Sequence, residues 1–119
     1  MFREDLNTTE HFYYEVMNLN GEQNKDQSIG YLICAALETG LVSSKISKMV
    51  DLALKQIPDS KLLCNLETRD YIVRIAKQIN LSANEIDNLK LNLIASFLHI
   101  NTQKAEDIYT SYESLFLNN

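Results

Sequence analysis

A unit made of an aliphatic helix end, a short polar junction and a second amphipathic helix recurs three times in this chain. The copies cover residues 33–43, 75–82 and 94–101. In each copy a Ser or Asn at the junction is placed to accept hydrogen bonds from the free amides of the next helix. An aliphatic residue just before it can pack back onto that helix. The recurrence predicts a fold built from helices joined by short, capped turns.

Apolar residues at helical spacing predict about six short amphipathic helices. The first should cover about residues 8–19, where residues 7–10 have the spacing of a capping box. Gly40 and Pro58 should end the second and third helices, with Ser43 capping the third. Ser82 and Glu85 form the clearest capping box. No segment alternates strictly between apolar and polar residues, so we expect an all-α, compact orthogonal array without a sheet, folded as one domain over residues 1–119.

The second predicted helix, which contains Ile29 to Leu37, is apolar or small on most of its sides. Such a helix lies either at the centre of the core or under another chain. The polar residues 22–27 before it should form the longest loop, and residues 59–65 a turn or a short helical segment. If Tyr31, Cys34 and Ala35 face outward, they predict self-association into a homodimer.

The composition indicates a soluble, cytoplasmic protein. The chain has 119 residues with 45% hydrophobic side chains, only three glycines and one proline. No run approaches the roughly 18 apolar residues of a membrane span, and the first residues lack the pattern of a secretory signal. Cys34 and Cys64 stand 30 positions apart in apolar surroundings, so we expect two reduced, packed thiols.

Charge is distributed unevenly along the chain. Residues 1–42 hold two basic and seven acidic side chains, residues 43–104 hold nine and six, and residues 105–119 hold three acids. The acidic ends favour a protein partner with a basic surface. The mildly basic middle favours nucleic acid as the alternative ligand, through Lys45, Lys48, Lys55, Arg74 and Lys77.

Residues 75–86 resemble the turn of a helix-turn-helix, particularly that of the LuxR-type response-regulator domains, and the junction at residues 98–102 is similar to the one after their recognition helix. The resemblance implies DNA binding by a transcriptional regulator. In that family the recognition helix presents polar and basic groups after its cap. Here Glu85 and Asp87 occupy that region, and their charges repel phosphate.

Residues 37–43 and 94–108 are similar to the tellurite-resistance TerB-like helical domains. That family has an acid before the glycine of its first motif and a second acid shortly after it. Glu38 and Gly40 match this motif, whereas Lys45 and Ile46 occupy the region of the second acid. The resemblance therefore implies a helical fold without the family's metal ligands.

Residues with catalytic or metal-binding chemistry are scarce. The chain has no Gly-rich phosphate loop, no nucleophile elbow, no His-Glu-x-x-His and no Cys-x-x-Cys motif. His11 and Glu15 are one helical turn apart, but two ligands do not make a metal site. We therefore expect a protein that is not an enzyme and that holds no metal or cofactor.

The chain also contains six tyrosines. Tyrosine is enriched at the anchors of protein interfaces, since its ring packs and its hydroxyl tolerates water. The two terminal helices combine tyrosine with acids, so the predicted partner-binding residues are Glu10, Tyr13, Glu106, Tyr109 and Tyr112. Together these features predict a regulatory or interaction protein of the inhibitor, immunity or adaptor type.

Overall fold

The structure, a computed structural model, describes residues 22–116, with side chains described to residue 114. Within these residues the fold is all-helical and contains five helices: α1 (Lys25–Thr39), α2 (Ser43–Gln56), α3 (Asn65–Gln78), α4 (Ala83–His99) and α5 (Thr102–Phe116). The all-α prediction is confirmed. The sequence predicts about six helices, and five lie within the described residues. The helix predicted at residues 8–19 lies outside the described residues.

Helix α1 is the centre of the fold. It packs against α2, α4 and α5, and its residues Ile29, Leu32 and Ala36 are completely buried. Of the two positions expected for this mostly apolar helix, it takes the centre of the core, because neighbours of the same chain cover several of its sides. In the described part of the chain, no helix is long and apolar enough to cross a membrane.

Two helical hairpins, α1–α2 and α3–α4, meet through residues 40 positions apart, which is the contact pattern of an approximate two-fold arrangement. The backbones of Gln23 and Leu63 form two mutual hydrogen bonds of 2.9 and 2.8 Å. The hydroxyls of Ser28 and Thr68 lie 3.3 Å apart, and the Lys45 ammonium lies 3.0 Å from the Glu85 carboxylate. The first two copies of the recurring sequence unit are therefore two halves of one symmetric arrangement.

Each of the two hairpin junctions contains one residue with a positive φ angle. Gly40 ends α1 with a φ of +82°, and Asn80 follows α3 with a φ of +61°. Both values lie in the left-handed region, which glycine enters freely and asparagine tolerates better than most residues. The role predicted for Gly40 is confirmed.

The symmetry is broken where α5 packs on α1. At Gly30 an added Cβ would lie 1.8 Å from the Ala105 carbonyl oxygen, so only glycine allows the two helices to approach this closely. The residue 40 positions later is Asp70, whose carboxylate is half exposed and pairs with Arg69. Within the described residues α5 therefore packs on α1 at Gly30, whereas Asp70 at the related position of α3 is exposed.

Helix starts in this fold differ in their caps. The Ser82 hydroxyl accepts from the Glu85 amide at 3.1 Å, and the Glu85 carboxylate accepts from the Ser82 amide at 2.9 Å, as predicted. Helix α1 begins with a second box, in which Asn24 and Gln27 exchange two bonds of 2.9 Å. The expectation of a loop over residues 22–27 is wrong, because this box starts the helix at Lys25.

Helix α2 has no side-chain cap. Its N-cap residue is Val42, and Ser43 is the first helical residue, so the predicted capping role of Ser43 is wrong. Ser43 follows the N-cap position by one residue and therefore has helical backbone angles. From there its hydroxyl is not placed to accept from the free amides of the first turn.

Changing Val42→Ser should stabilise the protein by about 1 kcal/mol, the usual value of an N-cap, because it supplies the missing acceptor. Ser82→Ala should destabilise it by a similar amount, and Ser43→Ala should have little effect. Urea unfolding midpoints of the three variants test this ordering. A Val42→Ser variant no more stable than the parent would contradict the assignment of the cap.

Candidate functional site

A groove between α1, α2 and α5 is the candidate functional site. It encloses a cavity of about 390 Å³. Its apolar lining consists of Ile33, Leu37, Ile46, Ile108 and Tyr112, and its polar lining of Ser43, Lys104, Asp107 and Ser111. Such a concave, mostly apolar site with a few polar groups is the usual form of a binding site.

Close packing of α5 on α1 forms one wall of the groove. Gly30 lets the backbone of α5 approach at Ala105, and the Asn101 side chain caps α5 by accepting from the Lys104 amide at 2.8 Å. The Tyr31 hydroxyl donates to the Ile100 carbonyl at 2.8 Å and fixes the turn before α5. These contacts set the position of the groove-lining side chains of α5.

Exposed apolar side chains lie at the α1–α2 junction beside the groove. Leu37, which lines it, is 61% exposed, and Val42, at the start of α2, is 59% exposed. Large aliphatic side chains this exposed in one short segment leave apolar area in water, which favours binding of a second apolar surface.

The charge on α5 changes sign along the helix. Lys104 lies in its first turn, and Glu106, Asp107 and Glu113 follow. Asp107 is exposed and lines the groove, where it accepts from Gln103 at 3.1 Å. The C-terminal end of a helix also carries the negative end of its dipole. Of the charged side chains on α5, Lys104 and Asp107 line the groove, whereas Glu106 bonds to Gln27 and Glu113 to Tyr109 outside it.

The predicted partner-binding residues have different positions in the structure. Tyr112 lines the groove, and half-buried Glu106 accepts from Gln27 at 3.3 Å. Tyr109 is 5% exposed and its ring belongs to the core, and its role in partner binding stays a prediction. Glu10 and Tyr13 lie outside the described residues.

The hydroxyl of Tyr109 has a structural partner. It donates to the Glu113 carboxylate at 3.0 Å. Burial, followed by this bond to a carboxylate, raises the pKa of Tyr109 to about 12. The phenol therefore stays protonated and keeps its donor role over the physiological pH range.

The predicted self-association residues do not form an exposed surface. Tyr31 is 4% exposed and Ala35 is completely buried, while Cys34 is half-buried. The Tyr31 ring packs against Phe97 of α4 with 4.8 Å between ring centroids. Other helices of the same chain cover Tyr31 and Ala35, so the outward orientation that the dimer prediction required is wrong.

The basic residues predicted as alternative nucleic-acid contacts are not equally available. Lys48, Lys55, Arg74 and Lys77 are exposed, and the Arg74 guanidinium lies 5.3 Å from the centre of the Tyr71 ring. Lys45 pairs with Glu85, whose carboxyl pKa is lowered by the Ser82 amide and then by Lys45. The first turn of α4 thus keeps its negative charge.

Metal-ligating side chains do not converge in the described part of the chain: no three His, Cys, Asp or Glu residues come together there. The predicted pair His11 and Glu15 lies outside that part. The groove itself offers apolar contact, three hydroxyls and one charge of each sign. This set can bind and orient a segment of another molecule by burying apolar area.

Sequence reasoning missed most of the groove, although it selected Tyr112. Ile33 and Ile46 belong to the core as well as to the groove lining, whereas Leu37, on the same predicted apolar stripe as Ile33, is exposed. Helical spacing alone does not separate a core face from the wall of a groove. The one available signal was the breadth of the apolar surface on α1, which includes Leu37. Comparisons with protein-family models, with curated proteins and with solved structures give no match to this chain.

Proposed function

We propose that this protein is a non-enzymatic interaction protein of the inhibitor, immunity or adaptor type, which binds a protein partner through the groove between α1, α2 and α5. The observation that carries the proposal is the apolar groove with exposed Leu37 on its lining and the charged helix α5 as one wall. The site would act by covering or recruiting a segment of the partner.

The energetic basis of such binding is the burial of apolar area. Full burial of an exposed Leu side chain contributes about 1.5–3 kcal/mol. Leu37 is largely exposed, and Ile108 and Tyr112 are only half-buried, so a partner that fills the groove gains at several points. A ring in the centre of an interface usually contributes more than a carboxylate at its rim, so Tyr112 is the expected anchor and Glu106 a minor contact.

Nucleic acid is the alternative ligand, favoured by the exposed Lys48, Lys55, Arg74 and Lys77. We rank nucleic acid second for two reasons. Lys45 is paired with Glu85, and the first turns of α4, the predicted DNA-reading helix, carry the acidic residues Glu85 and Asp87. Phosphate contacts dominate nucleic-acid affinity, and carboxylates at the predicted reading helix oppose them.

The test is capture of a partner from the native host by the tagged 119-residue chain, followed by binding titrations with single variants. Tyr112→Ala and Ile108→Ser should each raise the dissociation constant about tenfold or more. Thr110→Ala is the matched control, because Thr110 is exposed on the same helix and does not line the groove. It should leave the dissociation constant within about twofold.

Two results would contradict the proposal. In one, the captured protein binds the groove variants and the parent equally well. In the other, Lys48→Ala or Lys55→Ala abolishes binding and the captured ligand is nucleic acid with a steep salt dependence, which would establish the alternative.

A further inference from the structure

The outer face of α4 carries an exposed apolar stripe outside the groove. Leu91 is 63% exposed and Leu98 is 41% exposed, and Ala95 between them is exposed as well. We propose that this stripe is the contact surface of a weak homodimer, in which α4 packs antiparallel on α4 of a second copy across a two-fold axis near Ala95. The stripe and the groove share no residue, so the inference does not depend on the proposed function.

The related helix α2 shows that this face of the hairpin does not have to be apolar. Because the hairpins meet through residues 40 positions apart, Leu91 of α4 matches Asp51 of α2. Ala95 matches Lys55 in the same way, and both α2 residues are exposed. A helix face that meets only water is normally polar, as this face of α2 is. The apolar residues on α4 therefore indicate a face that packs against another molecule.

The stripe runs straight along α4. It begins with exposed Asn84 and Asn88 and continues with Leu91, Ala95 and Leu98, so its steps alternate between four and three residues. This alternation keeps the residues on one side of an α-helix and is the spacing of the seam between two paired helices. The seam is about 21 Å long, because each residue of a helix rises about 1.5 Å.

A second copy brings a stripe that complements this one. In an antiparallel pair centred near Ala95, Leu91 of each copy lies against Leu98 of the other, as an isologous two-fold contact requires. The small side chain of Ala95 near the axis lets the two helices approach closely. Two leucine contacts are therefore buried for one pairing.

Charge does not oppose this pairing and does not select another partner. The five residues of the stripe are uncharged, although the chain has a formal net charge of −5. Exposed Asp87 beside the stripe would lie roughly 22 Å from its own copy, beyond the Debye length of about 8 Å. An uncharged stripe gives no electrostatic preference to a basic or an acidic partner, whereas a second copy matches it in shape.

The size of the seam sets the strength of the dimer. A contact one helix wide and about 21 Å long buries less than the roughly 1,600 Å² of a standard stable interface. We expect a dissociation constant in the micromolar to submillimolar range. The two acidic copies repel each other at long range, so added salt should strengthen the dimer.

The first experiment is sedimentation equilibrium of the 119-residue chain up to millimolar concentration. Leu91→Ser and Leu98→Ser should each raise the dissociation constant of the dimer at least about tenfold, since the two-fold axis makes each change act twice. Leu62→Ser is the matched control, because Leu62 is 53% exposed and lies outside the stripe. It should leave the dissociation constant within about twofold. Urea unfolding checks that each variant remains folded.

The second experiment tests the position of the axis by cross-linking. Ala95→Cys should give a disulfide-linked dimer under mild oxidation, because a disulfide forms when the two Cα atoms lie within about 7 Å. Lys55→Cys, at the matching position of α2, is the control and should form no such dimer. The parent chain, whose Cys34 and Cys64 are half-buried, controls for the native thiols.

The inference is overturned if the chain stays monomeric at millimolar concentration, or if Leu62→Ser weakens the dimer as much as Leu91→Ser does. It also fails if Ala95→Cys cross-links no faster than Lys55→Cys. A dimer that is lost in Leu37→Ser and kept in Leu91→Ser would place the groove at the interface and would equally reject the α4 stripe. These outcomes leave the proposed function to its own test, the groove variants with a captured partner.

Discussion

Replacing Gly30 with alanine should destabilise the protein by about 3 kcal/mol or more, at the upper end of overpacking effects. The new methyl carbon would lie 1.8 Å from the Ala105 oxygen, 2.4 Å from its carbonyl carbon and 3.0 Å from its Cα. All three are backbone atoms, so the clash can be relieved only by moving α5 away from α1. The groove should open or disappear at the same time.

A loss of stability in Gly30→Ala would be informative, because a Gly→Ala change inside a helix usually stabilises a protein. Intrinsic propensity favours alanine by about 1 kcal/mol. The pseudo-symmetric control is Asp70→Ala on α3, where the side chain is half exposed and no helix covers it among the described residues. Asp70→Ala should change stability by less than about 0.5 kcal/mol. Circular dichroism during urea unfolding measures both, and a stable Gly30→Ala variant would show that α5 does not approach α1 as described.

Replacing Thr68 with valine should cost about 1–3 kcal/mol, the penalty for leaving buried polar groups without partners. The Thr68 hydroxyl accepts a hydrogen bond from the side-chain amide (Nε2) of Gln23 at 2.7 Å and lies 3.3 Å from the Ser28 hydroxyl. Ser28 and Thr68 are completely buried, and Gln23 is 1% exposed. Valine has nearly the same shape as threonine, so the loss reports on hydrogen bonding and not on a cavity.

Thr110→Val is the matched control for this second variant. The Thr110 hydroxyl donates to the Glu106 carbonyl at 3.0 Å, but the residue is exposed, and water can replace the lost bond. Its cost should stay below about 0.5 kcal/mol. Equal losses for the two variants in urea unfolding would mean that burial of the Gln23–Ser28–Thr68 cluster adds nothing to its strength.

Local signals in the sequence were sufficient for much of the fold. Gly40, Pro58 and the Ser82–Glu85 box act through residues a few positions apart, so their effect on the backbone can be read without knowing the tertiary structure. The errors at Asn24 and Val42 are also local. A helix start shifted by one residue changes which side chain is the cap, and helix ends are the least certain part of a helix assignment.

The buried polar cluster and the candidate site both depend on contacts between residues that are far apart in the chain. Gln23 lies in a polar stretch typical of a loop, but it is buried through hydrogen bonds to Leu63, Asn65 and Thr68, which are 40 to 45 positions away. Tyr109 and Tyr112 both fit the spacing of an amphipathic helix. Only the close approach of α5 at Gly30 decides that the first ring is buried and the second lines the groove.

The two-fold relation between the hairpins also bears on how such a chain can diverge. In a homodimer, each residue on the axis meets its own copy, so a lysine would face a lysine and any change would appear twice. One continuous chain removes that restriction. Position 45 can be lysine while position 85 is glutamate, and position 30 can be glycine while position 70 is aspartate. The joined halves can therefore keep a common backbone while one half specialises in holding α5 and the other remains free to change its outer surface.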